Sequence, residues 1–235
     1  MRFLTAIPVY NEEKHLDEVL VAARRWTPEI LVVDDGSTDG TPQLLARYPD
    51  VQVLTHQSNE GYGAALRDAF RFAVQHGYDA LVTMDCDGQH QPERIPDLLA
   101  AIADADIVSG SRYLKHFEGD SAPPPERRRI NQTITQEINR RLVLNLTDAF
   151  CGFKAYRTDA LRKLDITEPG YAMPLEVWVQ AARLGFRIKE VPVPLIYLEE
   201  YRAFGGALDD GARRLTYYRA VIERAVQREE TRGRL

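Results

Sequence analysis

The chain has 235 residues, 44% of them hydrophobic, which is enough to bury the core of one domain. Its formal net charge of −5 excludes a protein that attracts nucleic acid by overall charge, and its two cysteines, Cys86 and Cys151, are too few for a disulfide framework and fit a reducing compartment. No run approaches the roughly 20 apolar residues that span a bilayer, and the apolar start stops at Asn11-Glu12-Glu13, too short for a signal segment, so a cytoplasmic protein is expected, with any membrane role peripheral.

Residues 3–9 read as a strand. Asn11 is placed to cap a following helix with Leu16, Val19, Leu20 and Ala23 on one face. A second strand at 30–33 runs into Asp34-Asp35-Gly36-Ser37-Thr38-Asp39-Gly40-Thr41, and Thr41-Pro42 opens a helix, since proline suits a first turn. Strands at 51–55, 80–84 and 107–109 alternate with helices that begin after Gly61 and Gly63 and at Pro92. This alternation predicts an α/β fold, with a mostly parallel sheet covered by helices on both faces and ligands beyond the carboxyl ends of the strands.

The second half is less regular. Residues 116–126, with Pro123-Pro124-Pro125, read as a surface loop, 127–146 as a helix, 153–156 and 188–193 as strands, and 175–184 as a helix. From Asp209 onward, Leu215, Tyr218, Ile222 and Ala225 recur at helical spacing. With no repeat or linker, a single domain over 1–235 is expected: a nucleotide half at about 1–112, an acceptor half at about 113–200 and a C-terminal helix at about 208–230.

Three segments carry chemistry. Asp85 and Asp87, two apart at a strand end, can project to one side, and with Gln89 they offer the hard oxygens that suit Mg²⁺ or Mn²⁺; the competing reading is a pair of turn caps. Asp34 and Asp35 close a buried strand where a carboxylate can accept from a ribose hydroxyl or base N–H, while Ser37, Asp39 and Thr41 suit a turn that satisfies its own backbone. Asn59-Glu60-Gly61-Tyr62-Gly63 precedes a helix, where glycines allow close backbone approach and the helix N-terminus favours anions; a loop with no ligand fits as well.

Taken together, Pro8-x-Tyr10-Asn11-Glu12, Val33 to Thr41, Asn59-x-Gly61-x-Gly63, Asp85-x-Asp87-x-Gln89-His90 and Gly110-Ser111-Arg112-Tyr113 resemble glycosyltransferase family 2, with its GT-A (Rossmann-like) fold. Phe150-Cys151-Gly152-Phe153-Lys154-Ala155-Tyr156-Arg157, Gly170-Tyr171, Glu176 and residues 185–192 resemble its dolichol- and polyprenol-phosphate mannosyl- and glucosyltransferase branch, so the resemblance spans about 3–197.

The resemblance implies an inverting, metal-dependent transfer of a hexose from a nucleotide diphosphate sugar, of the GDP-mannose or UDP-glucose type, to a polyprenyl phosphate. Pro8, Tyr10, Glu12, Asp34 and Asp35 would line the nucleoside pocket, with Gly61 and Gly63 on the donor side. Asp85, Asp87 and Gln89 would hold Mg²⁺ or Mn²⁺, and Arg112, Arg127, Arg128 and Asn131 would meet phosphates, although Arg127-Arg128-Arg129 also reads as a solvated helix start. Asp87, Arg112 and Glu176 are the catalytic candidates; Glu176 would be the base for a hydroxyl acceptor, and it fits a buried helix residue equally well.

Departures fall on the acceptor side: Phe150-Cys151 where Thr-Ser is frequent, Asn131 where some members have serine, Pro174 where some have glutamine, and Arg202-Ala203-Phe204-Gly205-Gly206-Ala207-Leu208-Asp209-Asp210 where Ser-Lys is usual. Transfer to a soluble or glycan hydroxyl, or non-catalytic nucleotide-sugar binding, are the alternatives. A lipid acceptor needs a membrane-facing surface, for which the proline-rich loop with Arg127 to Arg129 and the arginine-rich C-terminal helix are candidates; simple packing of that helix, with its arginines solvated, is the plainer reading.

Overall fold

The computed structural model describes residues 1–197 and 206–233. Position 202–205 of the departure noted above lies outside them. Seven strands, β1 (Phe3–Val9), β2 (Ile30–Asp34), β3 (Gln52–Thr55), β4 (Ala80–Thr83), β5 (Ile107–Ser111), β6 (Lys154–Arg157) and β7 (Ile188–Pro192), form one sheet in the order β3-β2-β1-β4-β6-β5-β7. All neighbours are parallel except β6, which runs antiparallel between β4 and β5. The mostly parallel α/β sheet expected from the sequence is present.

Buried strands alternate their side chains between two cores. In β2, Leu31 and Val33 face one cluster and Ile30 and Val32 the other. The second cluster takes α1 (Leu16–Ala23), α2 (Thr41–Leu45) and α4 (Ile95–Ala101). The first takes α3 (Tyr62–Gln75), α5 (Pro125–Leu142), α6 (Thr158–Leu161), α7 (Met173–Arg183) and α8 (Gly211–Thr231).

Several local expectations change. Asn11 does not cap α1, which begins at Leu16 with no side-chain cap; it adopts φ 57° and its Oδ1 accepts the Thr38 N–H at 2.8 Å, bracing the Asp-rich turn. Pro92 starts a short 3₁₀ turn that leads into α4. Helix α5 starts inside the supposed loop, at Pro125, because proline suits a first turn, and ends at Leu142 because Val143 is left-handed at φ 54°. The short helix α6 has no counterpart in the sequence reading.

Two features of this frame position the site. The chain leaves β1 and its neighbour β4 toward the same edge of the sheet, so residues 10–12 and 85–89 emerge side by side at a point where strand order reverses. Helix α8 packs through Tyr218 and Ile222, as expected, and its arginines pair with acids on the body: Arg214 with Glu126, Arg219 with Glu137, Arg224 with Glu168, and Arg228 and Arg232 with Asp165. These charges are turned toward the domain, which weakens the case for α8 as a lipid-binding face. Among the described residues no helix is long and apolar enough to cross a membrane.

Trp178 of α7 is fully buried in the first core, and its Nε1–H donates to the Ala149 carbonyl at 2.9 Å, fixing the turn that leads into β6. Trp178→Ala should therefore cost about 3–5 kcal/mol, the range for a large aromatic lost from a packed core. Urea denaturation checks this; a loss under 1 kcal/mol would mean the site collapses around the smaller side chain.

Candidate active site

A cavity of about 870 Å³ opens at the carboxyl edge of the sheet. Pro8, Tyr10, Glu12, Asp35 and Gly61 line one part of it, and Asp85, Asp87 and Gln89 another. Arg112, Arg127 and Asn131 line a third. Asp34, Gly63, Arg128 and Glu176, also expected at the site, are not on its wall.

The acidic end is built around Asp85, two residues beyond β4. The Tyr62 hydroxyl donates to its Oδ1 at 3.0 Å; burial and the carboxylate raise the Tyr62 pKa well above its usual value and keep that proton in place. Gly152 lies directly under the carboxylate, so that a Cβ there would occupy the space of both Asp85 oxygens, and its carbonyl is pinned by the Thr83 hydroxyl at 2.7 Å. His90 Nδ1 accepts the Asp85 N–H at 3.0 Å. Burial opposes a charge on this ring and Asp85 favours one, giving a pKa of about 9; the accepted N–H requires the neutral tautomer with its proton on Nε2, and that geometry decides the state. Asp87 Oδ1 accepts the Gln89 N–H at 3.0 Å, which fixes the turn.

This donor set suits a Mg²⁺- or Mn²⁺-type cation. Such ions keep waters and take phosphate oxygens, so two carboxylates and an amide suffice. Among the described residues no group of three or more His, Cys, Asp or Glu side chains is placed to hold a metal ion. The glycine at position 152 leaves the Asp85 carboxylate room that any larger residue would take.

Beside Pro8, Tyr10 and Glu12 on the cavity wall, Asp35 is a bracket for the glycine loop. It accepts the Glu60 and Gly61 N–H groups, each at 2.8 Å, and contacts His56 Nδ1 at 2.7 Å. His56 Nε2 reaches Asp68 at 3.1 Å; burial opposes a charge on this ring, and Asp35 with its neighbours prevails and raises its pKa. Asp34 points elsewhere and accepts the Ser37 N–H at 3.0 Å, so the adjacent pair divides into one turn residue and one cavity residue. Gly63 N–H donates to the Pro169 carbonyl at 2.7 Å, which closes the N-terminus of α3 from the protein side.

The basic end rests on a residue without a motif, Asp148. It is fully buried, and Arg112 grips it with both prongs, Nε to Oδ2 at 2.7 Å and Nη2 to Oδ1 at 2.9 Å. Asn131 Nδ2 donates to the same carboxylate at 2.8 Å. Burial raises the Asp148 pKa and Arg112 more than offsets it, leaving it at about 2. Arg128 turns outward, its guanidinium 5.0 Å from the ring centre of Tyr113, a cavity residue. Glu176 is only 2% exposed, and its carboxylate accepts the Glu168 N–H at 2.7 Å, the Thr167 N–H at 2.9 Å and Arg228 Nη1 at 3.2 Å. These bonds tie α7 to α8 and match the buried-helix alternative of the two that the sequence left open for Glu176.

The sequence reading also missed Tyr62, Tyr113, Tyr171, Tyr218 and Arg214, all on the cavity wall. Tyr62 and Tyr113 sit inside motif segments and were within reach. Arg214 stood among arginines read as solvated, and only the packing of α8 brings it here.

A reversing, mostly parallel sheet with paired carboxylates at one end of a cavity and arginines at the other defines an enzyme of the GT-A nucleotide-sugar class. The chain belongs to glycosyl transferase family 2, whose model matches residues 5–165. It is 40% identical over 227 residues to undecaprenyl-phosphate mannosyltransferase of Micrococcus luteus, covering 92% of this chain and 93% of that protein. It is 36% identical over 204 residues to polyprenol monophosphomannose synthase of Mycolicibacterium smegmatis, covering 82% and 76%. In fold it matches glucosyl-3-phosphoglycerate synthase from Mycobacterium tuberculosis, crystallised with Mn²⁺, UDP and phosphoglyceric acid, at a TM-score of 0.74 and 18% identity, over 96% of this chain and 78% of that one.

Two outcomes follow from this geometry. Asp148→Ala strands a buried guanidinium and should cost about 3–5 kcal/mol at neutral pH. Because the folded pKa lies below the unfolded value, this stability is present above the unfolded pKa of 3.8 and lost as pH falls toward about 2. The gap between wild type and variant in urea denaturation should therefore narrow over that window, and a gap independent of pH would exclude ionised Asp148 as the cause. Separately, Gly152→Ala should keep the fold and displace Asp85, so half-saturation by Mn²⁺ in a metal-titrated activity assay should rise about tenfold or more. An unchanged Mn²⁺ titration would remove Gly152 from the site.

Proposed function

We propose that this cavity transfers a hexosyl group, mannosyl by analogy with the named activities of the relatives, from a nucleotide diphosphate sugar to a polyprenyl phosphate. The observation that carries the reading is the division of one cavity into an acidic end at Asp85 and Asp87 and a basic, aromatic end at Arg112, Arg127, Tyr113 and Tyr218. The first suits a cation with a diphosphate, and the second suits a phosphate with an apolar tail.

In this reading Pro8, Tyr10, Glu12, Asp35 and Gly61 receive the nucleoside. Asp85, Asp87 and Gln89 hold Mg²⁺ or Mn²⁺, and the related fold crystallised with Mn²⁺ and UDP supports a divalent ion. Such an ion would stabilise the negative charge that grows on the nucleoside diphosphate as the glycosidic bond breaks. Tyr62 and Gly152 orient Asp85 for that task. Arg112, Arg127 and Asn131 hold the acceptor phosphate with one oxygen toward the sugar carbon. Asp148 keeps Arg112 and Asn131 aimed, so that little reorganisation is needed on binding.

A phosphate monoester has a second pKa near 6 and is anionic at neutral pH, so it needs positioning and no proton acceptor. A hydroxyl acceptor would need a base, and Glu176, the candidate for it, lies off the cavity wall with its oxygens engaged, which supports the phosphate acceptor. A lipid acceptor also places the cavity mouth at a membrane surface. The inward pairing of the α8 arginines favours residues 113–124, where Leu114 is exposed, over α8 as the membrane-facing side.

Asp87→Ala should abolish transfer while leaving the fold intact by circular dichroism. GDP-mannose and UDP-glucose, each supplied with Mg²⁺ or Mn²⁺ and a polyprenyl phosphate, test the donor, with GDP-mannose expected to react. Full turnover in excess chelator would overturn the metal assignment, and preference for UDP-glucose would overturn the mannosyl one.

A further inference from the structure

His56 is the first residue after β3, and its N–H continues the sheet ladder to the Asp34 carbonyl at 2.9 Å. Its side chain is only 6% exposed and lies between two carboxylates from different elements. Nδ1 stands 2.7 Å from Asp35 Oδ1, just beyond β2, and Nε2 stands 3.1 Å from Asp68 Oδ2, on the second turn of α3. One imidazole therefore spans the base of the loop that leads from β3 into Gly61 and Gly63.

Ionised carboxylates only accept hydrogen bonds, and a neutral imidazole has a single donor nitrogen. Both contacts are satisfied together only by the imidazolium, with a proton on each nitrogen. The surrounding charges agree with this. Burial opposes a charge on the ring, but Asp35, Glu60 and Asp68 outweigh it and raise the His56 pKa above the ordinary 6.5. Arg71 Nη1 at 2.9 Å and Arg67 Nε at 3.6 Å lie on Oδ1 of Asp68, the oxygen that His56 does not use.

The cavity feels this clamp through Asp35. Oδ1 meets His56 and the Glu60 N–H, and Oδ2 accepts the Gly61 N–H. A carboxylate has about four acceptor positions, so one on Oδ2 is left for a ligand of the cavity that Asp35 lines. The loop itself is tightly seated. Gly36 lies against the backbone of Ser58 and Asn59, and Gly61, at φ 104°, lies against the Pro169 carbonyl, with no room for a Cβ at either. Fixing Asp35 thus also fixes Asn59 and Gly61, which line the cavity beside it.

We propose that His56 is a positioning residue for the nucleotide sugar: as a doubly bonded imidazolium it holds Asp35 and the glycine loop in the arrangement that receives the nucleoside. This rests on the reading that Asp35 and Gly61 receive the nucleoside. His56 is not on the cavity wall and acts through Asp35. Loss of either ring proton leaves a carboxylate facing a bare nitrogen lone pair, and the two repel. Donor affinity is therefore full below the raised His56 pKa and falls as pH rises through it. Asp68 sets where that fall occurs, from outside the cavity.

Binding of GDP-mannose with Mg²⁺, or of UDP-glucose if that binds more tightly, is measured by calorimetry on the full chain from about pH 6 to about pH 9. The diphosphate of such a donor is esterified at both ends and has no monoester ionisation near neutrality. Wild-type affinity should fall about tenfold across that range, the scale of one charge-assisted hydrogen bond. His56→Gln, whose amide oxygen cannot donate, should bind about tenfold more weakly than wild type at the acidic end and vary little with pH. Asp68→Asn leaves Asp35 in place and removes one acid from the ring, so the fall should move to lower pH. In steady-state transfer the change should appear in the donor KM, with kcat nearly unaltered. Imidazole ¹⁵N spectra, with the His56 signals identified by their loss in His56→Gln, should show both nitrogens protonated at neutral pH. A neutral His56 in those spectra, or a His56→Gln protein that is less stable yet binds donor as wild type does, overturns the inference. So does wild-type affinity that is flat with pH, or a pH dependence that both variants retain unmoved. If His56→Gln does not fold, Asp68→Asn decides alone, and an unmoved midpoint overturns the inference. Wild type that binds neither nucleotide sugar would instead overturn the transferase reading, and this inference with it.

Discussion

The buried ion pair between Asp148 and Arg112 is the constraint on which the basic half of the molecule depends. Ionising a carboxylate in a site with no solvent exposure is costly, and it is tolerated here because every strong acceptor direction is used. Arg112 takes two of them, Asn131 a third and the Phe150 N–H another at 3.1 Å. The turn carrying Asp148 is itself fixed from β7, since Glu190 accepts the N–H groups of Thr147 and Asp148. One carboxylate thereby locks the end of β5, the inner face of α5 and the approach to β6 into a single arrangement. A pair of this kind adds little net stability over an apolar core, but it fixes where a guanidinium points, and a phosphate site needs that.

The acidic half follows a complementary rule. Asp85 sits over Gly152, whose carbonyl accepts from the Thr83 hydroxyl, and the side-chain donor to the Asp85 carboxylate is the Tyr62 hydroxyl, where Asp148 has a guanidinium. Asp148 is neutralised by the protein; the carboxylates at 85 and 87 face a cavity where a ligand can supply the charge. The two kinds of acid are thus separated by access: Asp85 and Asp87 line the cavity, and Asp148 lies behind Arg112 and Asn131, which do.

Strands and their ends were legible in the sequence because apolar runs that stop at Asp or Gly clusters have few other meanings. Asp85 and Asp87 both line the cavity, but so does Cys86 between them, because this segment lies beyond β4, where strand alternation no longer applies. The division of Asp34 from Asp35 was not legible, because it depends on which residue meets the glycine loop at Glu60 and Gly61, a contact 25 residues away. Asn11 carried a sound capping signal, but the turn at Thr38 and Asp39 claimed its side chain. The end of α5 was misplaced because Val143 adopts a left-handed conformation that β-branched residues rarely take. Asp148 belongs to no motif, and its role exists only once β5, α5 and the 147–150 turn converge.

Helix α8 shows how composition misleads when charges are counted without partners. Its arginines outnumber its acids, and a helix read that way belongs on an anionic surface. Folding turns the count around, because the matching acids lie on α5 and on residues 165–168 of the body. Tyr217 of α8 also donates to Glu168, and Glu168 accepts the Gly170 N–H at 3.0 Å, next to Tyr171. Tyr171 stacks on Tyr62 with ring centres 5.7 Å apart, and Tyr62 holds Asp85. A continuous run of packed groups therefore joins the C-terminal helix to the carboxylate at the far end of the cavity. The helix supplies Arg214 and Tyr218 to the cavity wall, and it is the burial of Tyr218, Val221, Ile222 and Ala225 in the first core, more than its half-exposed ion pairs, that holds it there.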